Sequence, residues 1–108
     1  MKRSITSAAL AVLISSPVFA GGVFADGNEL LRRCESKNPV DGMYCAAYIA
    51  SVHDFASSAS KVCKPESASL GQLVKVVVKY MNDNPTMLHI PAIYLATSAL
   101  ADAFPCKP

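Results

Sequence analysis

Four cysteines and two histidines are the residues of this 108-residue chain with the most obvious capacity for chemistry. A cysteine thiolate beside a histidine would be a nucleophile for acyl transfer, and four cysteines together could hold zinc. The spacing argues against both. Cys34, Cys45, Cys63 and Cys106 are separated by 11, 18 and 43 positions, with no CxxC pair. An even cysteine count in a small exported chain reads as disulfides, and paired cysteines are not thiolates. His53 and Asp54 are adjacent on a helical pattern, where neighbours point about 100° apart. They are not expected to face each other as an acid–base dyad, and Asp54 is expected in a structural hydrogen bond or ion pair. His89 lies in a turn before Pro91 and reads as a turn residue. The chain has no GxSxG, no HExxH, no phosphate-cradling glycine loop and no paired glutamates. These residues predict a protein that is not an enzyme, with no metal and no cofactor.

The elements that would position such residues begin after an export signal. Met1-Lys2-Arg3 is a short basic start, and Ile5–Ile14 is an apolar run too short to span a bilayer. Val18-Phe19-Ala20 and Val23-Phe24-Ala25 both end in the small-x-Ala pattern of a cleavage site. Cleavage after Ala25 is preferred because Asp26 then opens a helix cap, with Ala20 the other candidate. Residues 1–25 are thus expected to be removed, leaving one domain over 26–108. Without Lys2 and Arg3, eight basic residues balance eight acidic ones. A neutral domain without a basic run gives no reason to expect nucleic acid as a partner, and no insertion into a membrane follows signal cleavage.

Punctuation then divides the domain into four helices. The first starts at Asp26-Gly27-Asn28 and runs through Cys34. Ser36–Gly42 reads as a turn. The second helix runs from about Met43 to Ala56, with Tyr44, Tyr48, Val52 and Phe55 recurring on one face. In the third, Ser69-Leu70-Gly71-Gln72 fits a capping box. Leu70, Leu73, Val74, Val77, Val78 and Met81 then follow a 3.6-residue period. The valines favour a strand by propensity, but the period holds for three turns and decides for helix. Asp83-Asn84-Pro85 ends it. Pro91 suits the first position of a fourth helix, which carries Ala92, Ala96, Ala99 and Ala103 along one side and is closed by Pro105. Tyr44, Tyr48, Tyr80 and Tyr94 fit core or dimer contacts, with binding-surface anchors as the other reading. The fold class is therefore all-α: a small disulfide-stapled bundle of about four helices.

Short loops favour antiparallel neighbours. Cys34 at the end of helix one then lies beside Cys45 at the start of helix two. Cys63 and Cys106, which follow two parallel helices, share an end. Of the three possible connectivities, this layout favours Cys34–Cys45 and Cys63–Cys106.

The domain as a whole resembles the Rap/Tai family of type VI secretion immunity proteins, which block peptidoglycan amidase effectors. The resemblance runs from Gly27 to Cys106. It is carried by Gly27-Asn28-Glu29-Leu30-Leu31 followed by Cys34, by Cys45-Ala46-Ala47-Tyr48-Ile49 with Val52 and Asp54, and by Cys63-Lys64-Pro65. Gly71–Tyr80, Asn84-Pro85, Ala99-Leu100 and Ala103-Phe104-Pro105-Cys106 complete it. Helix two departs from the family pattern Cys-x-Gly-Tyr-Ile-x-Gly-Val, because Ala47 and Ser51 occupy its glycine positions. The resemblance implies an all-helical homodimer in the periplasm, without a cofactor, that occludes the active-site groove of a cysteine–histidine amidase. Contact residues do not carry over from it. The polar residues of helix three and the turn after it, Lys75, Lys79, Asn82, Asp83, Asn84 and His89, are the candidates for partner binding. The alternative from another class is a small periplasmic helical stress chaperone activated by acid. Such a protein needs many titratable groups to charge and open it, and this domain has 16 Lys, Arg, Asp and Glu in 83 residues. A saposin-like membrane-active protein is a third reading, and it expects exposed amphipathic faces.

Overall fold

The computed structural model describes residues 22–108, so the signal-peptide expectation falls almost wholly outside the described residues. Four α-helices follow in order: α1 Gly27–Glu35, α2 Pro39–Ser58, α3 Leu70–Asp83 and α4 Ala92–Ala103, with a single 3-10 turn at Pro85–Met87 before α4. Among the described residues the only extended pairing is an isolated bridge between Asp26 and Pro91. The all-α bundle expected from the periodicity is the fold observed.

Local chemistry explains where each helix starts. The Asp26 carboxylate accepts the Glu29 backbone N–H at 2.9 Å and caps α1. The capping box of α3 is complete: the Ser69 hydroxyl accepts the Gln72 N–H at 3.2 Å, and the Gln72 side chain accepts the Ser69 N–H at 2.8 Å. Two starts differ from expectation. α2 begins at Pro39, four residues earlier than Met43, because the Asn38 side chain accepts the Val40 N–H at 2.8 Å and Pro39 fills the first turn. The stretch read as a turn up to Gly42 is therefore mostly helix. Pro91 stands one residue before α4 in an extended conformation, as its cap, and the helix itself opens at Ala92.

All four helices bury residues in one core. Leu30 comes from α1; Cys45, Ile49, Val52 and Ala56 from α2; Leu73, Val77 and Met81 from α3; Ala92, Leu95, Ala96, Ala99 and Leu100 from α4. Each buried leucine or isoleucine contributes about 1.5–3 kcal/mol by leaving water. Among the described residues no polar or charged side chain is buried. The alanine seam of α4 finds its partner inside the domain, since Ala92, Ala96 and Ala99 are buried while Ala103 is exposed.

Covalent and backbone ties complete the frame. Cys34 is bonded to Cys45 and Cys63 to Cys106, with Cα–Cα distances of 5.0 and 4.9 Å, and none of the four cysteines is free. This is the connectivity that the antiparallel layout favours. The segment leading into α1 is zipped to the entrance of α4. The Gly27 N–H donates to the Ile90 carbonyl at 3.0 Å and the Asn28 N–H to the Leu88 carbonyl at 2.9 Å. Gly27 is required by this approach. A Cβ there would press on the Leu95 side chain and sit 2.9 Å from the Leu88 carbonyl oxygen.

Candidate functional site

α2 is unlike the other helices in having two apolar faces. Of its 20 residues only Asp41 and Asp54 carry a formal charge. Cys45, Ile49, Val52 and Ala56 turn inward and are buried. At 100° per residue, Val40, Met43, Ala47, Ser51 and the exposed Asp54 fall on the opposite side, while Tyr44, Tyr48 and Phe55 lie along its flank, the two tyrosines partly buried against the core. Val40, Met43 and Phe55 are 68, 72 and 69 % exposed. A helix that is apolar all round is ordinarily covered on all sides, and this one is covered on one. The periodicity of Tyr44, Tyr48, Val52 and Phe55 was expected to mark a single face. The structure splits that set, with Val52 inside and Phe55 outside.

Along one flank of α2 two half-buried tyrosines form an aromatic platform. The Tyr44 and Tyr48 rings stack with centroids 6.0 Å apart. The Arg33 guanidinium lies 4.0 Å from the centre of the Tyr44 ring, a cation–π contact. Burial pushes the Tyr48 phenol above its ordinary pKa, with Tyr44 adding to the shift, so it remains an O–H donor. Phe24, Arg33, Tyr44, Ala47, Tyr48 and Ser51 enclose a shallow hollow. At the other end of α2, Phe55 and Tyr94, which is 63 % exposed, flank a groove between α2 and α4.

Electrostatics hold the platform without charging it. Glu29 accepts two hydrogen bonds from Arg32, at 3.0 and 3.2 Å, and one from Arg33 at 2.7 Å. Arg33 also reaches Asp41 of α2 at 3.3 Å, and Arg32 lies 3.6 Å from the same carboxylate. Two cations and two anions thus tie α1 to the first turn of α2. Hydrogen bonds from Arg32 and then Arg33 push the Glu29 carboxyl down to about 2.

The polar residues of α3 and its following turn are placed differently from one another. Lys75, Lys79, Asn82 and Asp83 are exposed on α3. Lys79 forms an ion pair with Asp83 at 2.7 Å, and the Asn82 amide donates to Glu35 of α1 at 3.0 Å. Asn84 is half-buried, and its amide donates to the Tyr80 carbonyl at 2.8 Å, holding the end of the helix. His89 is exposed in the turn before α4. Four of the six thus share a helix, Asn84 caps that helix, and His89 stands apart in the following turn.

His53 and Asp54 do meet, contrary to the expectation from helical spacing. His53 Nδ1 and Asp54 Oδ1 are 3.0 Å apart, because side-chain rotation at the helix surface spans the 100° between them. The His53 side chain is 14 % exposed and that of Asp54 81 %, so the contact joins a largely covered imidazole to a solvated carboxylate. His53 Nε2 is buried and has no hydrogen-bond partner. The contact is the structural one expected of Asp54. Among the described residues no group of His, Cys, Asp and Glu has the arrangement of a metal site, and no helix is long and apolar enough to cross a membrane.

Fold and surface together define a class: an all-α domain, stapled by two disulfides, that presents an uncovered apolar helix face. The model of one family, the Rap1a immunity proteins, matches residues 26–106. The chain belongs to that family, which carries with it a role in immunity to a type VI secreted effector. No curated protein matches the sequence.

Proposed function

We propose that this protein protects its own cell by binding a type VI secreted peptidoglycan amidase in the periplasm and occluding the amidase active site. The observation that carries this reading is the uncovered apolar face of α2 in a member of an immunity family. Exposed apolar patches rimmed by polar groups are where proteins bind other proteins, and stacked tyrosines flanked by arginine are the residue types that dominate such interfaces. Binding is sufficient for this task, since a plug in a catalytic groove needs no chemistry of its own. Ala47 and Ser51, where the second helix departs from the family's glycines, both lie on this face. Their side chains would adapt the surface to one effector.

The export signal and the disulfides belong to the same reading. An amidase that cuts the wall acts in the periplasm, and an inhibitor there folds in an oxidising compartment. The protein is a homodimer in this reading, as the resemblance implies. The polar set on α3, Lys75 and Lys79 included, is in this reading a solvated rim that adds little to affinity. The test is inhibition of wall cleavage. Mature, oxidised protein is titrated against peptidoglycan amidases that act in the periplasm, starting with any encoded beside it, with purified peptidoglycan as substrate. Cleavage should stop at one equivalent of inhibitor per amidase. Undiminished cleavage at excess inhibitor would rule the amidase out as target.

A further inference from the structure

The chain carries two signal-peptidase patterns five residues apart, ending at Ala20 and at Ala25. Folding distinguishes them. Ala25 is 3 % exposed, and its carbonyl accepts the N–H of Ala92 at 3.0 Å. Ala92 is itself fully buried, so that N–H has no water to turn to if the carbonyl is removed. Asp26 pairs with Pro91 and caps α1, and Gly27 and Asn28 continue the same zipper to Ile90 and Leu88. A cut after Ala25 would remove the first tooth of that zipper and empty its place in the core. It would also put a new ammonium at the N-cap of α1, where the helix dipole already presents partial positive charge.

We propose that the signal is removed between Ala20 and Gly21. Gly21–Ala25 then stays on the mature protein as an N-terminal arm, with Ala25 as its anchor. This revises the preference for Ala25 that the helix cap at Asp26 suggested, since the folded unit begins one residue before its cap. The arm also keeps Phe24, whose fully exposed side chain stands at the edge of the hollow with Arg33, Tyr44 and Tyr48. Cleavage after Ala20 therefore preserves part of the surface on which the proposed function depends, whereas cleavage after Ala25 deletes it. The inference rests on the export reading.

The test is the intact mass and N-terminal sequence of the protein recovered from the periplasm of bacteria producing the full chain. A mature start at Gly21 is expected. A start at Asp26 would overturn the inference and leave export standing. Recovery of only the unprocessed chain, starting at Met1, would overturn both. Two variants give an independent readout, because the peptidase selects small residues just before the cut. Ala20→Leu should make the precursor accumulate, whereas Val23→Asp should leave processing and the mature N-terminus unchanged. Normal processing of Ala20→Leu, or a block in Val23→Asp, would contradict cleavage after Ala20.

Discussion

Glu29 concentrates more of the molecule's electrostatics than any other described residue. It takes three hydrogen bonds from Arg32 and Arg33, and those two arginines also face Asp41 across the gap to α2. Because its folded pKa is pushed down to about 2 from an ordinary 4.5, its contribution to stability is fully present above 4.5. It fades as pH falls through about 2, where the folded state too takes up the proton. Glu29→Gln should therefore unfold at lower urea than the parent at pH 7. The difference should close between about pH 4.5 and 2. Equal urea midpoints at pH 7 would show that the three hydrogen bonds add nothing to stability. Other residues are less legible from sequence. The approach of Gly27 to Leu88 has no local signature, because glycine before a helix is also an ordinary turn residue. The His53–Asp54 contact was hidden by reasoning from Cβ directions alone, which ignores what a flexible carboxylate can reach.

At the scale of elements, α3 was legible almost to the residue. Its capping box gives the start, and its 3.6-residue period gives the buried Leu73, Val77 and Met81, while Val74 and Val78 are half-buried and Leu70 is exposed at the helix start. α2 was not. Asn38-Pro39, with Asp41 two residues on, is a helix-start pattern, but Pro39, Asp41 and Gly42 are also the composition of a turn. Its second apolar face was illegible for a different reason. Periodicity shows which residues share a side, but in a helix with apolar residues all round it does not show which side faces the core. The polar residues of α3 stand out as candidate partner contacts in the sequence because charge is legible there and the absence of cover is not. The disulfides bind these elements into one unit, and Cys63–Cys106 closes the longer loop, a separation of 43 residues. Replacing both cysteines by alanine should cost about 4 kcal/mol in the loop-entropy model, measured by urea denaturation at neutral pH. A loss under about 1 kcal/mol would mean that the bond does not constrain the unfolded chain.

For the whole molecule, the rival reading as an acid-opened chaperone needs buried groups that charge at low pH and force the bundle apart. Among the described residues His53 Nε2 is the one buried side-chain nitrogen or oxygen without a partner, a single such group in the bundle, and Glu29 keeps its charge well into the acid range. The bundle is built instead as a stiff support. One face of α2 is committed to the core, and the other is held open by stacked tyrosines, a fixed arginine and a neutral four-charge clasp. Burying such a face against a partner is worth more than any polar contact at its rim, and the energy is expected to concentrate in a few aromatic and large apolar residues.

The proposed function puts the effector on this side of α2, and affinity measured by calorimetry checks that placement. The mature, oxidised protein is compared with Met43→Asp, Tyr48→Ala and, as a control on α3, Lys75→Ala. Met43→Asp and Tyr48→Ala should each weaken binding by about 30-fold or more, the scale of an interface hot spot. Met43→Asp should do so with an unchanged melting temperature, since Met43 is 72 % exposed. Lys75→Ala should change affinity by less than about 5-fold. Full affinity in both α2 variants, with loss in Lys75→Ala, would contradict the account and place the contact on α3.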